Sequence, residues 1–170
     1  MIGKERYYQY FVEGEDEKKF VDVLKSDLKL IYPGKVQIFN VTQQKLTRLR
    51  MMNLKKGTKV VLIFDTDAGN VSILNENIKF LKKESVVSDV ICITQVHNLE
   101  DELKRSCNIR QIKDLLGSKS NSEFKHDLIK EKNLVKKLND CQFDYNRLWN
   151  TNDKGIFKEI ENAAYKIKKQ

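Results

Sequence analysis

Lys59 to Phe64 reads KVVLIF, an unbroken apolar run followed at once by Asp65-Thr66-Asp67. A run of that length without polar alternation suits a strand covered on both faces, as in parallel sheets. Three further segments match it: Tyr7 to Val12 (YYQYFV), Val36 to Val41 (VQIFNV) and Val90 to Thr94 (VICIT). The segments between them change period. Glu17, Phe20, Val21, Leu24, Leu28 and Ile31 fall on one helical stripe, which the YPG turn at Tyr32 to Gly34 stops. A polar stretch through Met52 reads as helical, and Val71, Leu74, Ile78 and Leu81 make another stripe. Strands alternating with helices predict an α/β fold, a mainly parallel four-stranded sheet flanked by helices.

Beyond His97 the strand signal disappears. Ser120-x-x-Glu123 has the form of a capping box, opening a helix with Phe124, Leu128, Val135 and Leu138 on one side. Ile156, Ile160, Ala163 and Ile167 predict a last amphipathic helix, capped by Thr151 or Asp153, and Trp149 reads as a packing anchor. The expected organisation is a core over residues 1–102 and a helical C-terminal part over 103–170, packed on that core. The 170 residues suffice for one hydrophobic core.

Composition narrows the chemistry. Only His97 and His126 are present, and Cys92, Cys107 and Cys141 show no C-x-x-C spacing, so a zinc site or a histidine triad is poorly supplied. Reduced thiols and the absence of a signal-like start lead to the expectation of a cytoplasmic protein. No apolar run approaches membrane-spanning length. The net charge of +8 is compatible with a polyanionic partner such as nucleic acid, although the basic excess is spread over both halves without a basic tail.

Against that positive balance stand three acidic groups, each just after a strand: Glu13, Glu15, Asp16 and Glu17; Asp65 and Asp67; and Glu100, Asp101 and Glu102. Ligands of open parallel sheets bind beyond the carboxyl ends of the strands. Glu13 ends the first strand, and Glu17 shares the stripe of Phe20, Val21 and Leu24, so it is expected to face inward. Asp16 is expected to be part of a solvated helix start, with Glu15 beside it. Asp65 and Asp67 share one side of the extended chain. Such a dense patch requires solvation, protonation or a cation, and carboxylate oxygens suit Mg²⁺ or Mn²⁺.

FVEGEDE and VLIFDTD, each after a strand, resemble the two motifs of a Toprim domain, over roughly Tyr7 to Glu102. Toprim is the Rossmann-like catalytic fold shared by topoisomerases, bacterial primases and OLD-type nucleases. Its glutamate–glycine pair matches Glu13-Gly14 and its D-x-D matches Asp65 and Asp67. Many members carry aspartate four residues after the glutamate; this chain has Glu17, closer to OLD-type and small ribonuclease variants. The resemblance implies metal-dependent phosphodiester chemistry. Asp65 and Asp67 would hold the ion, Glu13 would be a general base or further ligand, and Glu17 would help hold a second ion. Glu100, with Glu102 as second choice, would supply the later acidic residue of the OLD-type site. Lys119, Lys125 and Lys154 are the candidates for the late lysine of that type. Ser118 and Ser120 lie beside Lys119, at an expected helix N-terminus that could favour phosphate.

The expected function is a small nuclease acting on DNA or RNA. A topoisomerase or primase would need regions for which 170 residues leave no room. No G-x-x-x-x-G-K-[ST] motif occurs, so an ATPase or sensor, as in Toprim effectors of bacterial anti-phage defence, would be a separate protein. The alternatives are a non-catalytic module binding nucleic acid or a partner protein, and a metal-dependent hydrolase or transferase acting on nucleotides or other phosphate esters.

Overall fold

The computed structural model describes residues 5–169. Its centre is a four-stranded sheet of order β2-β1-β3-β4, formed by β1 (Tyr8–Val12), β2 (Lys35–Ile38), β3 (Thr58–Asp65) and β4 (Val87–Gln95). Every neighbouring pair is parallel. The apolar run of β3 divides as a central strand should. Val61 and Ile63 join Tyr10, Val12, Ile91 and Ile93 in one core, while Val60, Leu62 and Phe64 join Phe11 and Cys92 in the other.

The connections supply the covering layers. Helix α1 (Glu15–Asp22) passes into a π-helical turn over Val23–Asp27, so the stripe reaching to Ile31 is not one α-helix. Ile31 instead bridges to Lys168 in antiparallel sense. The polar stretch before Met52 yields only the single turn α2 (Arg48–Met51). Helix α3 (Val71–Lys83) is capped by the Asn70 side chain, which accepts from the amides of Ser72 and Ile73, and Lys82 and Lys83 oppose its dipole at the far end. It covers the Phe64 face through Leu74 and Leu81.

The other face carries the remaining helices: α4 (Leu99–Ser106), α5 (Lys113–Leu116), α6 (Phe124–Lys130) and α7 (Leu134–Asp140). Their buried residues Leu103, Leu115, Phe124, Leu128 and Leu138 share a core with Tyr10, Val61 and Ile93. Among the described residues no helix is long and apolar enough to cross a membrane.

Three further sequence-based expectations fail here. The one helix expected to carry Phe124, Leu128, Val135 and Leu138 divides into α6 and α7. Ser120 does not cap a helix: its hydroxyl pairs with the Ser122 hydroxyl at 2.9 Å, and a short 3-10 turn (Asn121–Glu123) precedes α6. The final amphipathic helix also does not form, apart from a 3-10 turn at Ala164–Lys166. Tertiary hydrogen bonds take the backbone instead. Asn162 Nδ2 donates to the carbonyls of Thr94, Trp149 and Thr151, and the Ala163 amide donates to the Cys92 carbonyl. This irregular C-terminal strap, residues 149–168, thus occupies part of the edge of β4, which would otherwise present unpaired groups. Asp153 accepts from the Phe157 amide at 2.9 Å, in a turn that buries Phe157 against Phe64, with ring centroids 5.2 Å apart.

Candidate metal centre

From β1 the chain crosses to β2 on one side, then returns to form β3 on the other. The crevice between the carboxyl ends of β1 and β3 is therefore the sheet's topological switch point. Glu13 directly follows β1, and Asp65 is the last residue of β3. The two motifs meet there: Glu13 Oε1 accepts from the Asp65 amide at 3.2 Å. Asp65 is buried, and its Oδ1 accepts from Gln95 Nε2 at 2.8 Å. Asp67 is exposed, with Oδ2 accepting from Asn98 Nδ2 at 3.1 Å. The amides of Thr66 and Asp67 donate to the His97 carbonyl at 2.8 and 3.1 Å, which pins the DTD turn to the end of β4. His97 thus contributes its backbone, while the residue itself is exposed.

Helix α1 brings the second pair. Glu17 is 3% exposed and Asp16 only 7%, so Asp16 is not the solvated helix start expected of it; Glu15 is. Asp16 stands four, seven and eight residues before the buried Phe20, Val23 and Leu24, so its side of the helix is the inner one too. Both carboxylates lie over Gly14, where an added Cβ would be 3.1 Å from Asp16 Oδ1 and 3.1 Å from Glu17 Oε2.

Helix α6 packs on α1 and carries Lys125 to the cluster. Its Nζ lies 3.6 Å from Glu100 Oε1 and 3.9 Å from Asp16 Oδ2. Burial alone would lower the Lys125 pKa, but Glu100, Asp16, Glu17 and Asp65 together raise it. The acids are raised as well. Burial, opposed by the Asp65 amide and aided by the Asp67 charge, pushes Glu13 up to about 7. Burial and the Glu13 charge take Asp65 to about 8. Burial and the neighbouring carboxylates of Asp16 and Asp65 take Glu17 to about 9.

Among the described residues, no three His, Cys, Asp or Glu side chains stand close enough to clasp an ion as they are oriented. One oxygen of Glu13 and one of Asp65 are turned to protein donors. The donor set nevertheless fits a hard cation. Asp16 Oδ2, Glu17 Oε2 and Glu100 Oε2 are buried without any hydrogen-bond partner, and oxygen is the ligand that Mg²⁺ and Mn²⁺ take.

The other sequence-selected residues separate. Glu102 does not join the cluster: it is fully buried in the interior, accepting from the Val96 amide (3.0 Å), the Trp149 amide (3.0 Å) and Arg105 (2.9 Å). Two residues along a helix turn a side chain by ~200°, so Glu100 and Glu102 cannot face the same centre. Ser118 and Lys119 line a separate hollow of about 480 Å³ with Ser122 and His126, and Ser120 is tied to Ser122. Lys154 lines a groove of about 480 Å³ with Thr66, Asp67, His97 and Arg105, immediately beside the DTD turn. Gln95 and Asn98, which hold the two aspartates, were not singled out in the sequence. Gln95 ends an apolar strand and Asn98 caps α4 by accepting from the Asp101 amide, and neither local signal points to an aspartate. The chain matches no family model, no curated protein and no solved structure.

Proposed function

We propose that the protein is a Mg²⁺- or Mn²⁺-dependent nuclease with a Toprim-like core. The observation that carries this reading is the meeting of Glu13 with Asp65 at the switch point of a parallel sheet, with Asp16, Glu17, Asp67, Glu100 and Lys125 around them. So many carboxylates with so few donors are stable in ionised form only beside a cation. Asp65, Asp67 and Glu17 would hold the ion, and Asp16 and Glu100 offer further oxygens. A bound ion supplies Lewis acidity at a phosphoryl oxygen and a more acidic water.

The chain's own groups do the rest. Glu13, pushed up to about 7, is suited to accept a proton near neutral pH. Lys125 places a positive charge beside the site, where phosphoryl transfer accumulates negative charge. Lys154 and Asp67 line one groove, where Lys154 would meet a phosphate of the bound strand. The net charge of +8 draws a polyanion to the surface as a whole. A separately encoded ATPase or sensor, as in phage-defence systems, would regulate the activity. Lys125 also favours a second reading, because it partly neutralises the carboxylates by itself; a non-catalytic module would bind nucleic acid without turnover.

Incubation with Mn²⁺ and labelled single- and double-stranded DNA and RNA tests the proposal. Cleavage by the wild type, lost in Glu13→Ala and Asp65→Ala, supports it. Intact substrates throughout, with nucleic-acid binding unchanged by Asp65→Ala or EDTA, would select the binding module.

A further inference from the structure

Asp65 is held by a two-link chain that leads out of the acidic cluster. Gln95 is completely buried; its Nε2 donates to Asp65 Oδ1 at 2.8 Å, and its Oε1 accepts from the indole Nε1 of Trp149 at 3.2 Å. An indole nitrogen can only donate. The amide of Gln95 must therefore turn its oxygen to Trp149, which leaves its NH₂ group for Asp65. Trp149 is itself fixed at both ends of its backbone: its amide donates to Glu102 Oε2 at 3.0 Å, and its carbonyl accepts from Asn162 Nδ2 at 3.1 Å. The ring is 2% exposed and packs edge-on against Phe20 of α1, with centroids 6.3 Å apart.

We infer that Trp149 and Gln95 are positioning residues for the metal centre: the indole sets the Gln95 amide, and the amide commits one oxygen of Asp65 so that the other is aimed at the ion. This rests on the metal-dependent reading above. Beyond Lys125, it also gives the C-terminal part a second role at a site whose carboxylates come from the first hundred residues. Partners of this kind typically influence metal affinity ~10–100-fold.

Trp149 is the only tryptophan, so the full chain has a single indole N–H resonance to report the link. The inference expects that resonance to move when Mg²⁺ is added and also, in EDTA, when Asp65 is replaced in Asp65→Asn. In calorimetry, Trp149→Phe and Gln95→Leu should each weaken Mg²⁺ binding by about 10-fold or more. Phe157→Leu, a core change on the opposite face of the sheet, should lower stability but leave affinity unchanged. An indole signal indifferent to Asp65→Asn, or wild-type affinity in both Trp149→Phe and Gln95→Leu, overturns the inference. If Mg²⁺ shifts the amides of Glu13 and Asp65 but not the indole, the positioning chain fails and the metal site stands. If Asp65→Asn moves the indole but Mg²⁺ produces no shift and no heat, the metal reading fails, and the inference with it.

Discussion

EGEDE after β1 and NLEDEL after β4 are both dense in acids, yet their buried acids live in opposite surroundings. Glu102 is fully buried and has three donors, from Val96, Trp149 and Arg105. Burial raises its pKa, and those donors act against the rise. Glu17 is nearly as buried, but its neighbours are Asp16 and Asp65, and its Oε2 has no partner at all. Burial of a carboxylate therefore does not mark a site. What distinguishes a functional cluster from a structural one is whether the protein has already supplied the positive or donor groups. Glu102 joins the strand end, α4 and the C-terminal strap; the acids around Glu13 have few such donors, and in the function proposed above a cation would take their place.

Four tests would break or sharpen that contrast. The largest effect is expected at the open cluster: Asp65→Ala and Glu13→Ala should reduce Mn²⁺-dependent cleavage to the uncatalysed background, with unchanged circular dichroism. Glu102→Ala should do the reverse, because it leaves the buried Val96 and Trp149 amides without an acceptor and Arg105 without its carboxylate. A loss of about 3–5 kcal/mol is expected in urea unfolding, the range for breaking a buried ion pair. Equal stability of Glu102→Ala and wild type would mean that Glu102 is not a structural acid.

The pH dependence follows from the acids at the switch point. Glu13, Glu17 and Asp65 rise from 4.5, 4.5 and 3.8 to about 7, 9 and 8 on folding. The folded chain thus binds more protons than the unfolded chain across roughly pH 4 to 9, and the metal-free protein must lose stability as pH rises through that window. A divalent cation bound as proposed would compete with those protons, so its benefit should grow with pH. At a concentration 100 times its dissociation constant, Mg²⁺ should contribute about 2.7 kcal/mol. That corresponds to a rise in Tm of roughly 5–10 °C. Thermal melts at pH 5.5 and 8.5 with EDTA or Mg²⁺ should show the larger rise at 8.5; equal rises would mean that cation and protons do not share a site. Smallest is Lys125→Ala. Its side chain is 54% exposed, so its ion pairs with Asp16 and Glu100 should be worth no more than about 1 kcal/mol in denaturant melts.

Much of the core was legible in the sequence because its signals are local. The apolar run Lys59–Phe64, the aromatic strand before Glu13 and the stripe of α3 each report their own burial within a few residues. Expectation and structure part where long-range partners decide. Ile156, Ile160, Ala163 and Ile167 keep a helical spacing, yet Asn162 and Ala163 spend their hydrogen-bonding groups on Thr94 and Cys92, and the segment becomes a strap. Asp16 could have been read as inward-facing from its spacing to Phe20 and Leu24. Its acidic neighbours made a solvated helix start the simpler expectation.

By itself the sequence determined that Glu13 and Asp65 would stand at strand ends, since each is covalently next to a strand of unmistakable pattern. Only the tertiary structure decided which other acids share their centre. Glu102 is claimed by a backbone amide 47 residues away, and Asp65 is tied through Gln95 to an indole a further 54 residues along the chain. A carboxylate's fate depends on the donors and charges within a few ångströms of it, and chain folding, not sequence proximity, chooses those neighbours.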